Sequence, residues 1–143
     1  MLKALKFPDM FVEWIRACLT GARFSISING GLAGYFKRAR GVRQGDPLSP
    51  YLFVIALNVL LKLLDTAAGY KVFSYHPKCK KVRLTHLSFA DDMLIFAKGD
   101  LDSIKGIKKI LEKFYSFSGL QLNSAKSEIF SSGVSSELLR EMH

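Results

Sequence analysis

Two acidic residues stand side by side, Asp91 and Asp92, within the apolar run from Leu84 to Gly99. Adjacent carboxylates repel each other, and apolar surroundings raise the cost of keeping both charged. A divalent cation relieves that cost, and hard oxygen ligands suit Mg2+, with Mn2+ as a possible substitute. In phosphoryl transfer, carboxylate-held metals clamp the attacking and leaving oxygens. Alone, an Asp-Asp pair reads as a surface turn, because Asp is common in turns. This pair has apolar segments on both sides and a basic stretch, Lys78, Lys80, Lys81 and Arg83, just upstream.

A second group of residues able to contact a ligand is Arg43-Gln44-Gly45-Asp46-Pro47-Leu48-Ser49-Pro50. Two prolines and a glycine stiffen this loop. Gly45 lets a ligand approach the backbone closely, and Gln44 offers both donors and an acceptor. From chemistry alone, a rigid helix entry and a binding loop fit equally well.

The surrounding pattern predicts the elements that position these residues. Pro8 and Asp9 open a helix running to about Leu19, with Phe11, Ile15, Cys18 and Leu19 on its apolar face and Gly21 ending it. Phe24, Ile26 and Ile28 alternate with polar residues as in a half-buried strand. Asn29-Gly30-Gly31 is a turn signal, and a return strand follows near Tyr35 to Arg38. Ser49 as N-cap and Pro50 start a helix to about Ala67, stopped by Gly69. That helix is apolar on nearly every side and must be covered on most faces. Gly69 to Lys81 is a basic connection with some strand character. Two antiparallel strands then meet at Asp91-Asp92. Leu101, Ile104, Ile107, Leu111 and Phe114 mark an amphipathic helix ending at Gly119. Leu120 and Leu122 lead into a loop with Asn123 and Lys126. A short strand is expected at Glu128 to Phe130 and a helix start at Ser135 to His143. The fold class is α+β, and residues 1–143 make one domain or part of one.

Composition narrows the partners. The chain carries a formal net charge of +9, which favours polyanions, nucleic acid first and an anionic membrane second. Arg38, Arg40 and Arg43 form one basic group and Lys78 to Arg83 another. Cys18 and Cys79 are too far apart for a Cys-x-x-Cys metal site, and Cys18 is expected in the core. With no disulfide framework, a reducing compartment is expected. His76, His86 and His143 lack ligand spacing, which argues against zinc. Lys3 and Lys6 break the first apolar run, so no signal peptide is expected. The run Tyr51 to Leu64 is too short to span a bilayer, so neither secretion nor a membrane site is expected.

The lettering then becomes specific. Arg43 to Pro50 resembles motif B of reverse transcriptases from non-LTR (LINE-type) retrotransposons. Phe89-Ala90-Asp91-Asp92 resembles their motif C, the active-site hairpin. Gly119-Leu120-Gln121-Leu122-Asn123 with Lys126-Ser127 resembles their motif D element. The three occur in the family's order, and the Ser-Ile-Asn-Gly stretch around Asn29 and Gly30 fits the segment before motif B.

The resemblance implies part of a polymerase palm, an antiparallel sheet with packed helices. It implies Mg2+-dependent addition of deoxynucleotides to a DNA primer on an RNA template. Asp91 and Asp92 would lie at the metals, with Asp91 the better direct ligand. Gln44 and Gly45 would line the nucleotide and template pocket, and Arg43 would contact nucleic-acid backbone or a nearby acid. Phe89 would sit near the primer end, and Phe89 and Ala90 would be among the nucleotide- and template-binding residues. Lys126 would approach the pyrophosphate leaving group, where negative charge builds. Nuclear or cytoplasmic location follows by analogy alone.

The family also requires a motif A aspartate on a strand. Upstream of Gln44 the acids are Asp9 and Glu13, both at a helix start. Leu2-Lys3-Ala4-Leu5 resembles the helix that follows motif A. The sequence therefore reads as beginning after motif A, without fingers or thumb, and the 143-residue chain is expected to have little or no polymerase activity alone. Two other readings stay open: a non-catalytic basic RNA- or DNA-binding module, and a non-functional transposon relic.

Overall fold

The computed structural model describes residues 2–21, 23–37 and 45–134. Arg38, Arg40, Arg43, Gln44 and the expected helix start at Ser135 to His143 lie outside the described residues. The chain divides into two compact units, residues 1–56 and 57–143, and helices and short antiparallel strands alternate along it, so the class is α+β.

In the first unit, residues 2–6 form a turn rather than the helix expected at Leu2 to Leu5; Leu5 and Phe7 both donate to the Leu2 carbonyl, and Lys6 takes φ +60°. Helix α1 follows at Asp9–Thr20. Val12 and Ile15 are its buried residues, while Phe7 stacks on Phe11 with ring centroids 5.3 Å apart. Gly21 closes it by donating to the Ala17 carbonyl at 2.9 Å. Cys18, expected in the core, is exposed. It follows Ile15 by three residues, at a spacing that keeps it near the buried stripe, but the last turns of α1, residues 16–20, are all exposed.

Strands β1, Arg23–Ile28, and β2, Gly31–Lys37, form a hairpin. Asn29 and Gly30 make its two-residue turn, with φ of 50° and 82°. Two consecutive positive φ values are the type I′ signature, whose twist matches the strands. The register shifts between Phe24 and Ile26, where Gly34, at φ +69°, accommodates a bulge. Phe24 stacks on its cross-strand partner Phe36. The strand was expected to be half-buried, yet Ile26, Ile28, Leu32, Tyr35 and Phe36 are all more than half exposed. Alternation set the strand period correctly, but most of the apolar side chains of this ribbon remain exposed.

Helix α2, Ser49–Gly69, crosses from the first unit into the second. Asp46 organises its entry. Its Oδ1 accepts from the Leu48 N–H at 2.8 Å, and its carbonyl accepts from the Ser49 N–H at 3.0 Å. The expectation of a helix covered on most faces is corrected. Tyr51 is 69% exposed and Val54 59%, while the second half buries Leu60, Leu64, Ala67 and Ala68. The expectation that this apolar run is too short for a membrane is corrected too. At 21 residues the helix is long and apolar enough to cross one, by length and composition only. Its exit also differs from expectation. Gly69 lies in the last turn, and Lys71 takes φ +60° instead. Val72 donates to the Ala67 carbonyl and Lys71 to the Ala68 carbonyl, the paired bonds of a Schellman cap with lysine at the left-handed position.

The core of the second unit forms around Phe73, which is 2% exposed. Helix α3, Leu101–Ser118, buries Ser103, Gly106, Ile110 and Phe114 on one stripe. Asp100 caps its start by accepting from the Ser103 N–H at 2.8 Å. Gly119, at φ +72°, ends it in the left-handed region. Gly106 lets α3 press on the backbone of residues 72 and 73: a Cβ there would meet the Val72 carbonyl oxygen at 2.2 Å.

Strands β3, His86–Phe89, and β4, Asp92–Ile95, form the second hairpin. The strand character expected between Gly69 and Lys81 is a single bridge between Tyr75 and Ala97, supported by Lys98 donating to the Ser74 carbonyl. A short 3-10 turn, Ser124–Lys126, follows α3. Glu128 to Phe130 forms no strand; all three residues are exposed, and among the described residues no strand pairs with them to supply ladder hydrogen bonds.

Candidate active-site hairpin

The acidic pair sits at the tip of β3–β4. Register pairs His86 with Ile95, Leu87 with Leu94, Ser88 with Met93 and Phe89 with Asp92. The two-residue turn is therefore Ala90-Asp91, one residue earlier than the expected junction at Asp91-Asp92. Asp92 is the first residue of β4. Ala90 takes φ +52°, a region that non-glycine residues occupy at a cost of about 1–2 kcal/mol. Such a conformation persists only where its surroundings enforce it. Here the paired strands and the fixed register do so.

Phe89, Ala90, Asp91 and Asp92 are thus brought together on one turn, and all four are exposed, Phe89 to 84%. The apolar surroundings expected for the acids are absent. With water around both carboxylates, their mutual repulsion is screened, so a cation is not needed to make the pair tolerable. Mg2+ nevertheless commonly binds through one or two carboxylates together with substrate phosphates. Asp91 and Asp92 supply donors of that type and number. Among the described residues, no group of three or more His, Cys, Asp or Glu could hold a metal by itself.

Lys126 and Gly45 belong to other elements of the chain. Lys126 ends the 3-10 turn, where Asn123 Oδ1 accepts from the Ala125 N–H at 3.1 Å and the Asn123 carbonyl accepts from the Lys126 N–H. Lys126 is exposed and makes no ion pair with Asp91 or Asp92. Gly45, in the first unit, takes φ +81° with open space where a Cβ would project. Only glycine adopts that backbone without strain.

At the base of the hairpin lies a cluster that the sequence did not single out. The Thr85 hydroxyl donates to Asp65 Oδ1 on α2, and Thr85 Oγ1 lies 2.8 Å from His86 Nδ1. His86 Nδ1 is 3.6 Å from the Asp65 oxygen. Thr85 is 1% exposed, and its carbonyl accepts from the Phe96 N–H at 2.8 Å. In the sequence, Asp65 is an acid within a largely apolar helix, and His86 a histidine without ligand spacing. Their link depends on tertiary placement of α2, which no local pattern encodes.

One electrostatic perturbation stands out in this unit. The Ser103 hydroxyl holds the Asp100 carboxyl below its ordinary range. Partial burial opposes this, while the Ser103 N–H and Lys98, 3.1 Å away, add to the lowering.

The hairpin presents Phe-Ala-Asp-Asp at its tip and follows the apolar helix α2 and precedes the amphipathic helix α3 in the chain. The chain belongs to the reverse transcriptase (RNA-dependent DNA polymerase) family, which it matches over residues 1–138. Within that family its similarity is to non-LTR retrotransposon sequences. It is 35% identical over 129 residues to a Pol polyprotein from the type-2 retrotransposable element R2DM of Drosophila melanogaster, covering 87% of this chain and 11% of that protein. It is 29% identical to the transposon TX1 149 kDa protein of Xenopus laevis, over 88% of this chain and 9% of that one. An uncharacterised mitochondrial protein of Arabidopsis thaliana, AtMg01250, shares 44% identity over 71 residues, covering 46% of this chain and 54% of its own length. The chain thus spans about a tenth of the first of these relatives. No solved structure matches it.

Proposed function

We propose that this chain supplies the acidic hairpin and the glycine-loop entry of a polymerase palm, for Mg2+-dependent nucleotidyl transfer from deoxynucleoside triphosphates to a DNA primer on an RNA template. The observation that carries this reading is the two-residue turn that sets two adjacent carboxylates at an exposed tip, in a chain that matches the family along nearly its whole length. Asp91 and Asp92 would hold the metal. When bound, it supplies charge neutralisation for the phosphates and the attacking oxygen. Phe89, beside the acids and unpacked, offers an aromatic face on which a primer-terminal base can stack. Gly45 offers backbone to nucleotide or template without a side chain in the way, in company with Arg43 and Gln44. Lys126 is the proton donor or charge stabiliser proposed for the leaving pyrophosphate.

Two carboxylates place a metal less firmly than three, so the 143-residue chain by itself is expected to show little or no primer extension. Two measurements test the proposal. Primer extension on an RNA template by the purified chain, abolished by Asp91→Asn, would overturn the expectation of inactivity. Mn2+ titration by electron paramagnetic resonance tests the metal role. In water, each carboxylate at ~4 Å from a dication contributes about 2 kcal/mol, so Asp91→Asn should weaken binding roughly 30-fold. Equal affinity in the parent and in Asp91→Asn would remove the hairpin from the metal site.

A second reading rests on a different observation. Lys78, Lys80, Lys81 and Arg83 are all exposed on the turns before β3, and none is in an ion pair among the described residues. Such a group binds phosphate backbones without chemistry. Steeply salt-dependent RNA binding that survives Asp91→Asn, in a chain that binds no Mn2+, would favour that module.

A further inference from the structure

We infer that Asp65, Thr85 and His86 form a proton-ordered anchor that fixes the aim of the acidic hairpin, and that they are positioning residues for the site proposed above, on which this inference rests. The proton count gives the order. A carboxylate only accepts, so the hydroxyl proton of Thr85 goes to Asp65 Oδ1. Thr85 Oγ1 is then left with lone pairs alone, and His86 Nδ1, 2.8 Å away, must be the donor. A neutral His86 ring therefore carries its hydrogen on Nδ1. The chain of donors runs from His86 through Thr85 to the carboxylate on α2, and it ends in a charge-assisted bond, the stronger kind.

The placement makes the anchor effective. Thr85 and His86 lie where β3 begins, and the Thr85 carbonyl also holds Phe96, just past the end of β4. Both strands are thereby tied to α2 at the end away from the acids. β3 has four residues, so at ~3.4 Å per residue the tip lies about 14 Å beyond the anchor, and a tilt of about 5° there displaces the acids by about 1 Å. In a reacting geometry an error of that size costs about 10²-fold in rate. An apolar contact at the base would resist such a tilt less, because dispersion has no preferred direction, whereas this chain of hydrogen bonds fixes angles as well as distances.

The test uses the full 143-residue chain and Thr85→Val, which keeps shape and removes the hydroxyl, with Thr85→Ser as the restoring variant. Imidazole 15N spectra at about pH 8.5, above the ordinary histidine range, should show the Nδ1–H tautomer for His86 in the parent and in Thr85→Ser, and its loss in Thr85→Val. Amide exchange at Phe96 and across β3–β4 should accelerate about tenfold or more in Thr85→Val, while the α3 amides keep their protection. Mn2+ affinity should fall about tenfold, as it does when outer groups that orient ligands are removed. If Thr85→Val also loses α3 protection, Asp65→Ala, on a half-exposed side chain, must give the same accelerated hairpin exchange. An Nε2–H tautomer in the parent would overturn the anchor, as would unchanged hairpin exchange in the folded variant. Absence of Mn2+ binding in the parent would overturn the metal reading instead, leaving tautomer and exchange to decide the anchor separately.

Discussion

Replacing Gly106 with alanine sets two effects of opposite sign against each other. Alanine is the better helix former by about 1 kcal/mol, so on an exposed helix the change would stabilise. In this chain the new methyl would sit 2.2 Å from the Val72 carbonyl oxygen, 3.0 Å from its carbon and 3.4 Å from Phe73 Cβ. Two of these three atoms are backbone, so no rotamer change relieves the contact. The segment at 72 and 73 must retreat by about 1 Å to restore a van der Waals distance, and overpacking of that kind costs about 1–3 kcal/mol or more. Retreat also opens the buried site of Phe73 and pulls on the Ser74–Lys98 and Tyr75–Ala97 contacts that continue the β3–β4 hairpin. The clash wins, and we expect a net loss of about 2 kcal/mol. Urea denaturation followed by far-ultraviolet circular dichroism, together with the thermal midpoint, measures it; in a unit of this size the midpoint should drop by roughly 8–16 °C. A variant more stable than the parent by about 1 kcal/mol would show that α3 does not press on this backbone, and the description of the core would have to be withdrawn.

Lys71→Gly should stabilise the second unit by about 1 kcal/mol, because it relieves a left-handed φ in the Schellman cap; chemical denaturation checks it. Asp100→Ala should cost about 1 kcal/mol through loss of the N-cap, seen as a lower urea midpoint. Because the Ser103 hydroxyl and its other partners hold the Asp100 carboxyl below its unfolded value, its contribution is complete above the unfolded value of 3.8 and fades as pH falls through the lower folded value. The parent should therefore lose more stability on acidification through that window than Asp100→Ala, and parallel pH profiles would contradict the assignment. Asp91→Asn and Asp92→Asn should each weaken Mn2+ binding without changing the thermal midpoint, since both carboxylates are exposed.

Local chemistry made much of this chain legible in advance. Pro8 and Asp9 marked the start of α1, Asn29-Gly30 the first turn, and Gly119 the end of α3, because each acts through its own backbone. The second hairpin was legible from its apolar flanks, but its turn was misjudged by one residue. Asp is a better turn residue than Ala, and only the strand register pushes Ala90 into the turn. At α2, Gly69 was the obvious stop, yet Lys71 adopts the left-handed conformation, because packing of residues 72 and 73 against α3 decides where the chain reverses. Burial was the least legible property. Cys18, Ile26, Ile28, Tyr51 and Val54 are apolar at correctly spaced positions, and spacing says which face is apolar without saying what covers it. The acids of the candidate site were readable as a motif; the side chains at the hairpin's base, brought together from α2 and β3, were not.

The ribbon of β1 and β2 has a thermal consequence of its own. Two strands alone are marginally stable in water, and this pair relies on the Asn29-Gly30 reversal and the stacked Phe24 and Phe36 rings. As temperature rises, its amides should be the first of the described strands to exchange, well before those of α3. Calorimetry of the whole chain should then show a broad early shoulder rather than a single sharp peak.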